Sequence, residues 1–233
     1  AIPEAIGATS TIFATVRLTP DAHRIDREAL LLGAEAIVRC STLTPDGFGN
    51  LRFAALARVP AYVPFLPAAY APAPDGLDGH ALDWRSGAFG LAIGVEAAPL
   101  AVTATANAGT LEQARQALIE SIQTEAGRLD RLVRAWSKKR RAHFFGFDFA
   151  LAQYPTADRS VGTALEFLSG APVGRAGSLA AAALLTEALD RAAFVRSGYN
   201  GLFLPVLEDS VLAQRASDGS LRLNDLLLYS AVC

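Results

Sequence analysis

Short runs of β-branched and aromatic residues alternate along this chain with longer runs of helical period, and that alternation constrains its fold more than any other feature. Residues 11–18, 52–59, 89–95 and 143–150 read as strands. Between and after them lie helical patterns over residues 26–39, 110–141, 159–168, 178–194, 208–216 and 224–233. Strands separated by helices belong to an α/β fold, in which a parallel sheet is crossed by helices, and not to segregated layers. Asp26 is placed to open the first helix, whose expected apolar face is Leu30, Leu31, Ala34 and Ile37; Thr110 with Gln113 forms a capping-box pair at the start of the longest one. Pro60, Pro64, Pro67, Pro72 and Pro74 crowd one stretch, which can be neither helix nor central strand.

Composition supports one globular α/β domain over residues 1–233: 52% of the residues are hydrophobic and 19% charged, far from a disordered balance. A formal net charge of -2 gives no electrostatic basis for binding nucleic acid. The basic run Lys138, Lys139, Arg140, Arg141 ends the long helix, where cations complement the macrodipole, and is read that way. No apolar stretch approaches the roughly 20 residues of a membrane span, and the first ten residues carry Glu4 and no basic cluster, so a cytoplasmic setting is expected. His23, His80 and His143 are scattered, without zinc-ligand spacing, and Cys40 and Cys233 are expected to remain unbonded to each other. There is no methionine, and residues 226–233 form an apolar run without a terminating glycine, so the chain is expected to be part of something longer.

Several polar residues are candidates for chemistry. Asp148 lies within a strand whose other face carries Phe145, Phe147 and Phe149; it needs a wet edge or a partner, for which Asp158 and Arg159 are placed, and a structural pair and a site role both stay open. Glu208 and Asp209 follow an apolar run that could itself be a strand. They suit the first turn of a helix, with metal binding or acid–base work as the sharper alternative. The segment 44–50, with Gly47 and Gly49, reads as a helix-to-strand turn; it lacks a phosphate loop's lysine, but Asn50 and Arg52, together with Arg159, could orient a ligand. Cys233 is either a small buried hydrophobe or a nucleophile.

Six segments together resemble one family. They are LTPDGFGNLRFAAL (43–56), FLPAAY (65–70), GFDFAL (146–151), GSLAAAALLTEALD (177–190), GYNGLFLPVLED (198–209) and DLLLYSAVC (225–233). The family is the uncharacterised one catalogued as domain of unknown function 711, also described as pyruvate formate-lyase-like. The resemblance implies part of a ten-stranded α/β barrel like that of pyruvate formate-lyase and ribonucleotide reductase, with a cysteine on an inner loop, here Cys233. It implies no settled activity, cofactor or metal, and fold likeness does not transfer radical chemistry. Two functions follow as expectations: an enzyme acting on a small polar or anionic metabolite at the barrel mouth, with Asp148, Glu208 and Asp209 as acids, bases or metal ligands, or a non-enzymatic binding or assembly protein that uses the barrel as a scaffold. A homo-oligomer or a second chain would complete the barrel.

Overall fold

A computed structural model describes residues 2–19, 24–57, 59–70 and 89–232; His23, His80, Pro72, Pro74 and Cys233 lie outside them. The chain divides into two compact units, Ala1–Ala92 with Ser197–Tyr199, and Ile93–Arg196 with Asn200–Cys233.

In the first unit, α1 (Ile2–Gly7) and β1 (Ala14–Arg17) precede α2 (Arg27–Ser41), and β2 (Phe53–Leu56) follows. Asp26 caps α2, its Oδ1 accepting from Ala29 N at 3.0 Å, as its position before the helix foretold. β1 and β2 pair in parallel, Ala14 opposite Phe53 and Arg17 opposite Leu56, so α2 is a crossover helix. The face of α2 that packs is not the expected leucine face. Gly33 and Cys40 are buried, with Ala36 and Ile37 half-buried beside them, while Leu31, Leu32, Ala34 and Val38 are exposed. Small residues let the helix approach the strands closely: a side chain at Gly33 would stand 3.4 Å from the Ala55 methyl. Ile6, Cys40 and Phe53 form one apolar cluster and Leu56, Val63 and Ala69 another. Tyr62 adopts φ 55, and its carbonyl accepts from Ser197 Oγ at 3.0 Å while Gly198 N donates to the carbonyl of Ala61.

The division of the chain falls within β3 (Phe89–Gly94). The second unit continues through α3 (Ala98–Ala106), α4 (Leu111–Arg140), β4 (Ala142–Asp148), α5 (Val161–Ser169), α6 (Ser178–Arg191), α7 (Ser210–Ser217) and α8 (Leu223–Tyr229). β3 is the neighbour of β4, and the pairing runs on past the strand ends: Val95 N donates to Asp148 O and Ala97 N to Ala150 O, the stepwise pattern of parallel chains. On the other side of β4, Phe147 N donates to Val195 O and Leu151 N to Gly201 O, both at 2.8 Å, with Phe147 and Arg196 bridged in parallel. Three parallel segments therefore lie side by side. Gly146, at φ 133, permits this, since a Cβ there would stand 2.7 Å from the Val195 carbonyl oxygen.

The 30-residue α4 begins at Thr110, whose Oγ1 accepts from Gln113 N at 3.1 Å; the Gln113 side chain returns to Gly109 N, one residue short of an ordinary capping box. The basic run closes α4, with Arg140 over the Trp136 ring and Arg141 in the left-handed cap. The core of the unit is Leu118, Ile122, Phe147, Phe149, Leu165, Leu185 and Leu189, with α3 against α4 and α5, and α6 against α4 and α5. The apolar run 202–207 is not a strand but a loop ending in a turn, in which Glu208 N donates to Pro205 O. Proline at 205 and a helix cap immediately beyond favour the turn. The expected α/β class holds at this level: helices with two small parallel sheets among the described residues.

Candidate functional site

Asp148 ends β4 and is 0% exposed. Its Oδ1 accepts from Ala150 N at 3.0 Å and from Asn200 N at 2.8 Å. Asn200 returns the bond with its own side chain, Oδ1 accepting from Phe149 N at 2.9 Å. The span from residue 195 to 201 is two residues longer than the span of β4 it accompanies, from 147 to 151, so the ladder cannot close by backbone alone. These two side chains carry the ladder across the mismatch, as side chains do at bulges. Asn200 sits at φ 49, a left-handed conformation that asparagine tolerates better than most residues. The buried carboxylate is therefore committed to shaping the backbone at the carboxyl ends of three parallel segments. Exposed Glu96 follows β3 at the same end.

Asp209 is also buried, at 1% exposure, and its carboxylate joins two helix starts. Oδ1 accepts from Val211 N and Leu212 N of α7, each at 3.0 Å, and from Ser160 Oγ at 2.6 Å; Oδ2 accepts from Gly162 N of α5 at 3.3 Å. Ser160 in turn caps α5 through Thr163 N. Two macrodipoles thus converge on one charge, the capping role open to it in the sequence. Glu208, its neighbour, is exposed.

The other candidates lie elsewhere. Arg159 is exposed in a short 3-10 turn (Ala157–Arg159), its guanidinium 5.4 Å from the Tyr154 ring centroid and 3.9 Å from the Asp158 carboxylate. Asp148 accepts from Ala150 N and Asn200 N, while the turn directs Arg159, expected beside it, onto Tyr154. Asn50 and Arg52 belong to a 3-10 turn of the first unit (Phe48–Arg52), where Arg52 Nη1 donates to the Thr9 carbonyl. The amides of segment 44–50 are taken by its own side chains, Phe48 N by Asp46 Oδ1 and Gly49 N by Thr44 Oγ1, the economy of a turn and not of a phosphate cradle. Cys40 is a buried unbonded thiol whose pKa burial pushes up, against the charges of Arg39 and Arg52, which makes it a poor nucleophile. Cys233 lies outside the described residues.

A second polar node ties α5 to α7. Arg215 grips Glu166 with two bonds, Nε–Oε1 at 2.6 Å and Nη2–Oε2 at 3.1 Å, and reaches Asp218 at 3.2 Å. Burial alone would raise the Glu166 carboxyl, but the Arg215 and Val173 N–H donors outweigh it and hold the pKa below the usual carboxylate value. Among the described residues no three His, Cys, Asp or Glu side chains are grouped as a metal site requires. No helix among them is long and apolar enough to cross a membrane.

Sequence reasoning missed Asn200. The signal was there, in an asparagine flanked by Gly198 and Gly201, where left-handed backbone is cheapest.

Comparison with known proteins agrees with the segment resemblance. The family model described as Uncharacterised ACR (DUF711) matches residues 1–233. A UPF0210 protein of Pyrobaculum islandicum is 30% identical over 241 residues, covering 100% of this chain and 50% of its own length. UPF0210 proteins of Neisseria meningitidis and Clostridium perfringens are 26% and 24% identical over 237 residues, with the same coverage. The chain spans about half the length of the curated relatives it matches. With a match along all of its residues, the chain belongs to the uncharacterised DUF711 family.

Proposed function

We propose that this chain forms part of an α/β barrel of the pyruvate formate-lyase type, and that the carboxyl ends of its parallel strands hold a small polar or anionic metabolite. The observation that carries the reading is the Asp148–Asn200 couple. A buried carboxylate holds a left-handed asparagine in place where three parallel segments end. Unfavourable backbone conformations persist where the surrounding structure fixes them, often at ligand sites. In parallel α/β sheets, ligands gather at the carboxyl ends of the strands. In this reading Asp148 positions the backbone where the segments end, and the exposed Glu96 follows β3 at the same end. Asp209 serves the fold by joining two helix starts. A further polypeptide would supply the remaining strands, consistent with relatives about twice as long.

The test compares thermal stabilisation by malonate and by inorganic phosphate in the parent protein and in Asn200→Gly. Glycine keeps the left-handed backbone and removes the side-chain bond to Phe149 N. The reading expects a saturable rise in Tm with one of the two anions, lost in Asn200→Gly. No rise with either, or an equal rise in the variant, contradicts it.

A second reading, an assembly scaffold, is favoured by the apolar side chains at the surface. Leu31, Leu32 and Val38 of α2 are 61%, 59% and 66% exposed. Such patches mark contact surfaces. Concentration-dependent association without any response to the anions would select it.

A further inference from the structure

The last turns of α4 and its cap, residues 128–141, carry seven of the chain's 21 basic side chains and one carboxylate, Asp130. The net charge of -2 is therefore unevenly spread, and one face of one helix holds much of the positive part. All seven cations are exposed, and among them so are Leu132, at 59%, and Trp136, at 40%.

Helical spacing sorts these residues. Val133 and Ser137 are buried against the rest of the unit. With about 3.6 residues per turn, Arg128, Arg131, Leu132, Ala135, Lys138 and Lys139 share the opposite side, and Trp136 borders it. The macrodipole acts within the final turn, and so accounts for Lys138, Lys139 and Arg140. It does not account for Arg128 and Arg131, about two to three turns earlier, nor for a leucine and an indole exposed beside them. Arg128 meets Glu125 at 2.8 Å, Arg134 meets Asp130 at 2.6 Å, and Arg140 lies over the Trp136 ring. Arg131, Lys138 and Lys139 have no ion-pair partner among the described residues.

We propose that this face of α4 docks on an anionic phospholipid surface, with the helix lying in the plane of the headgroups. Arg128, Arg131, Lys138 and Lys139 meet the lipid phosphates, while Leu132 and the edge of the Trp136 ring reach the boundary with the acyl chains. The apolar pair decides between anionic partners. A nucleic-acid backbone is bound chiefly by charge and gains little from an exposed leucine. A bilayer surface takes both side chains out of water. Because its other side is buried, α4 lies on that surface and does not cross it. The proposal does not rest on the reading of the strand ends given above.

The test sediments the purified protein with vesicles of phosphatidylcholine containing phosphatidylglycerol, and with vesicles of phosphatidylcholine alone. Binding to the anionic vesicles is expected, weakening as salt rises, with the neutral ones bound at least about tenfold more weakly. Arg131→Gln combined with Lys138→Gln and Lys139→Gln should lower the affinity at least about tenfold, with the far-ultraviolet circular dichroism unchanged. Leu132→Gln keeps every charge on a good helix former and should weaken vesicle binding about threefold or more. No binding to anionic vesicles, equal binding to neutral ones, or an unaffected triple variant overturns the proposal. So does an unaffected Leu132→Gln, or tighter retention of duplex DNA than of vesicles at equal phosphate concentration.

Discussion

One carboxylate, that of Asp209, accepts four hydrogen bonds from two helices and a serine. Replacing it by alanine strands those donors in a buried place, and should cost about 2–3 kcal/mol in urea unfolding. A loss under about 0.5 kcal/mol would show that the bonds are not made. Glu166 makes a different prediction, in pH. Its carboxyl is held below the usual value in the folded protein, so its stabilising effect is complete above the unfolded value of about 4.3 and is lost as pH falls through the lower folded one. The parent protein should therefore exceed Glu166→Gln in urea midpoint near neutrality, and the gap should narrow below about pH 4.3. A gap that widens in acid contradicts the sign. At this scale the sequence was informative where chemistry is local. An acid before a helix signals a cap, and Asp209 is one. A carboxylate among phenylalanines signals burial, and Asp148 is buried. Its partner was not legible, since Asn200 is 52 residues away and meets it through a mismatch between neighbouring segments that no local pattern encodes.

Among the elements, the long helix was legible nearly to the residue, because a cap, a periodic stripe and a basic end coincide in one run. α3 was not. Its nine residues, APLAVTATA, are uniformly small and apolar, with Ala98, Ala101, Ala104 and Thr105 buried, so no polar face marks the period. The packing side of α2 was misjudged for a related reason: leucines look like core, but the close contact with β1 and β2 is made by Gly33, Ala36 and Cys40. Two glycines test the element-level account. Gly146→Ala would bring a Cβ to 2.7 Å from the Val195 carbonyl oxygen at a φ of 133, and should destabilise by more than about 2 kcal/mol. Gly127→Ala meets nothing, and should stabilise α4 by about 0.5–1 kcal/mol. Thermal unfolding of the two variants separates them by sign, and a like effect from both would contradict the geometry.

For the molecule as a whole, the alternation of strand and helix predicted the α/β class, and the described residues show it with parallel pairing in both units. The barrel was expected from the family resemblance alone, and the described residues show two small sheets. The exposed leucines of α2 carry a corresponding expectation. Leu31→Glu with Leu32→Glu should reduce any self-association seen by sedimentation velocity, and unchanged association would place the contact elsewhere. The central claim concerns the carboxyl ends of the parallel segments. Its most direct test is a map of backbone amide shifts as malonate is titrated into the protein. The account predicts saturable shifts concentrated at Glu96, Phe149, Ala150, Asn200 and Gly201. Saturable shifts confined to other residues, or none at all, would contradict it.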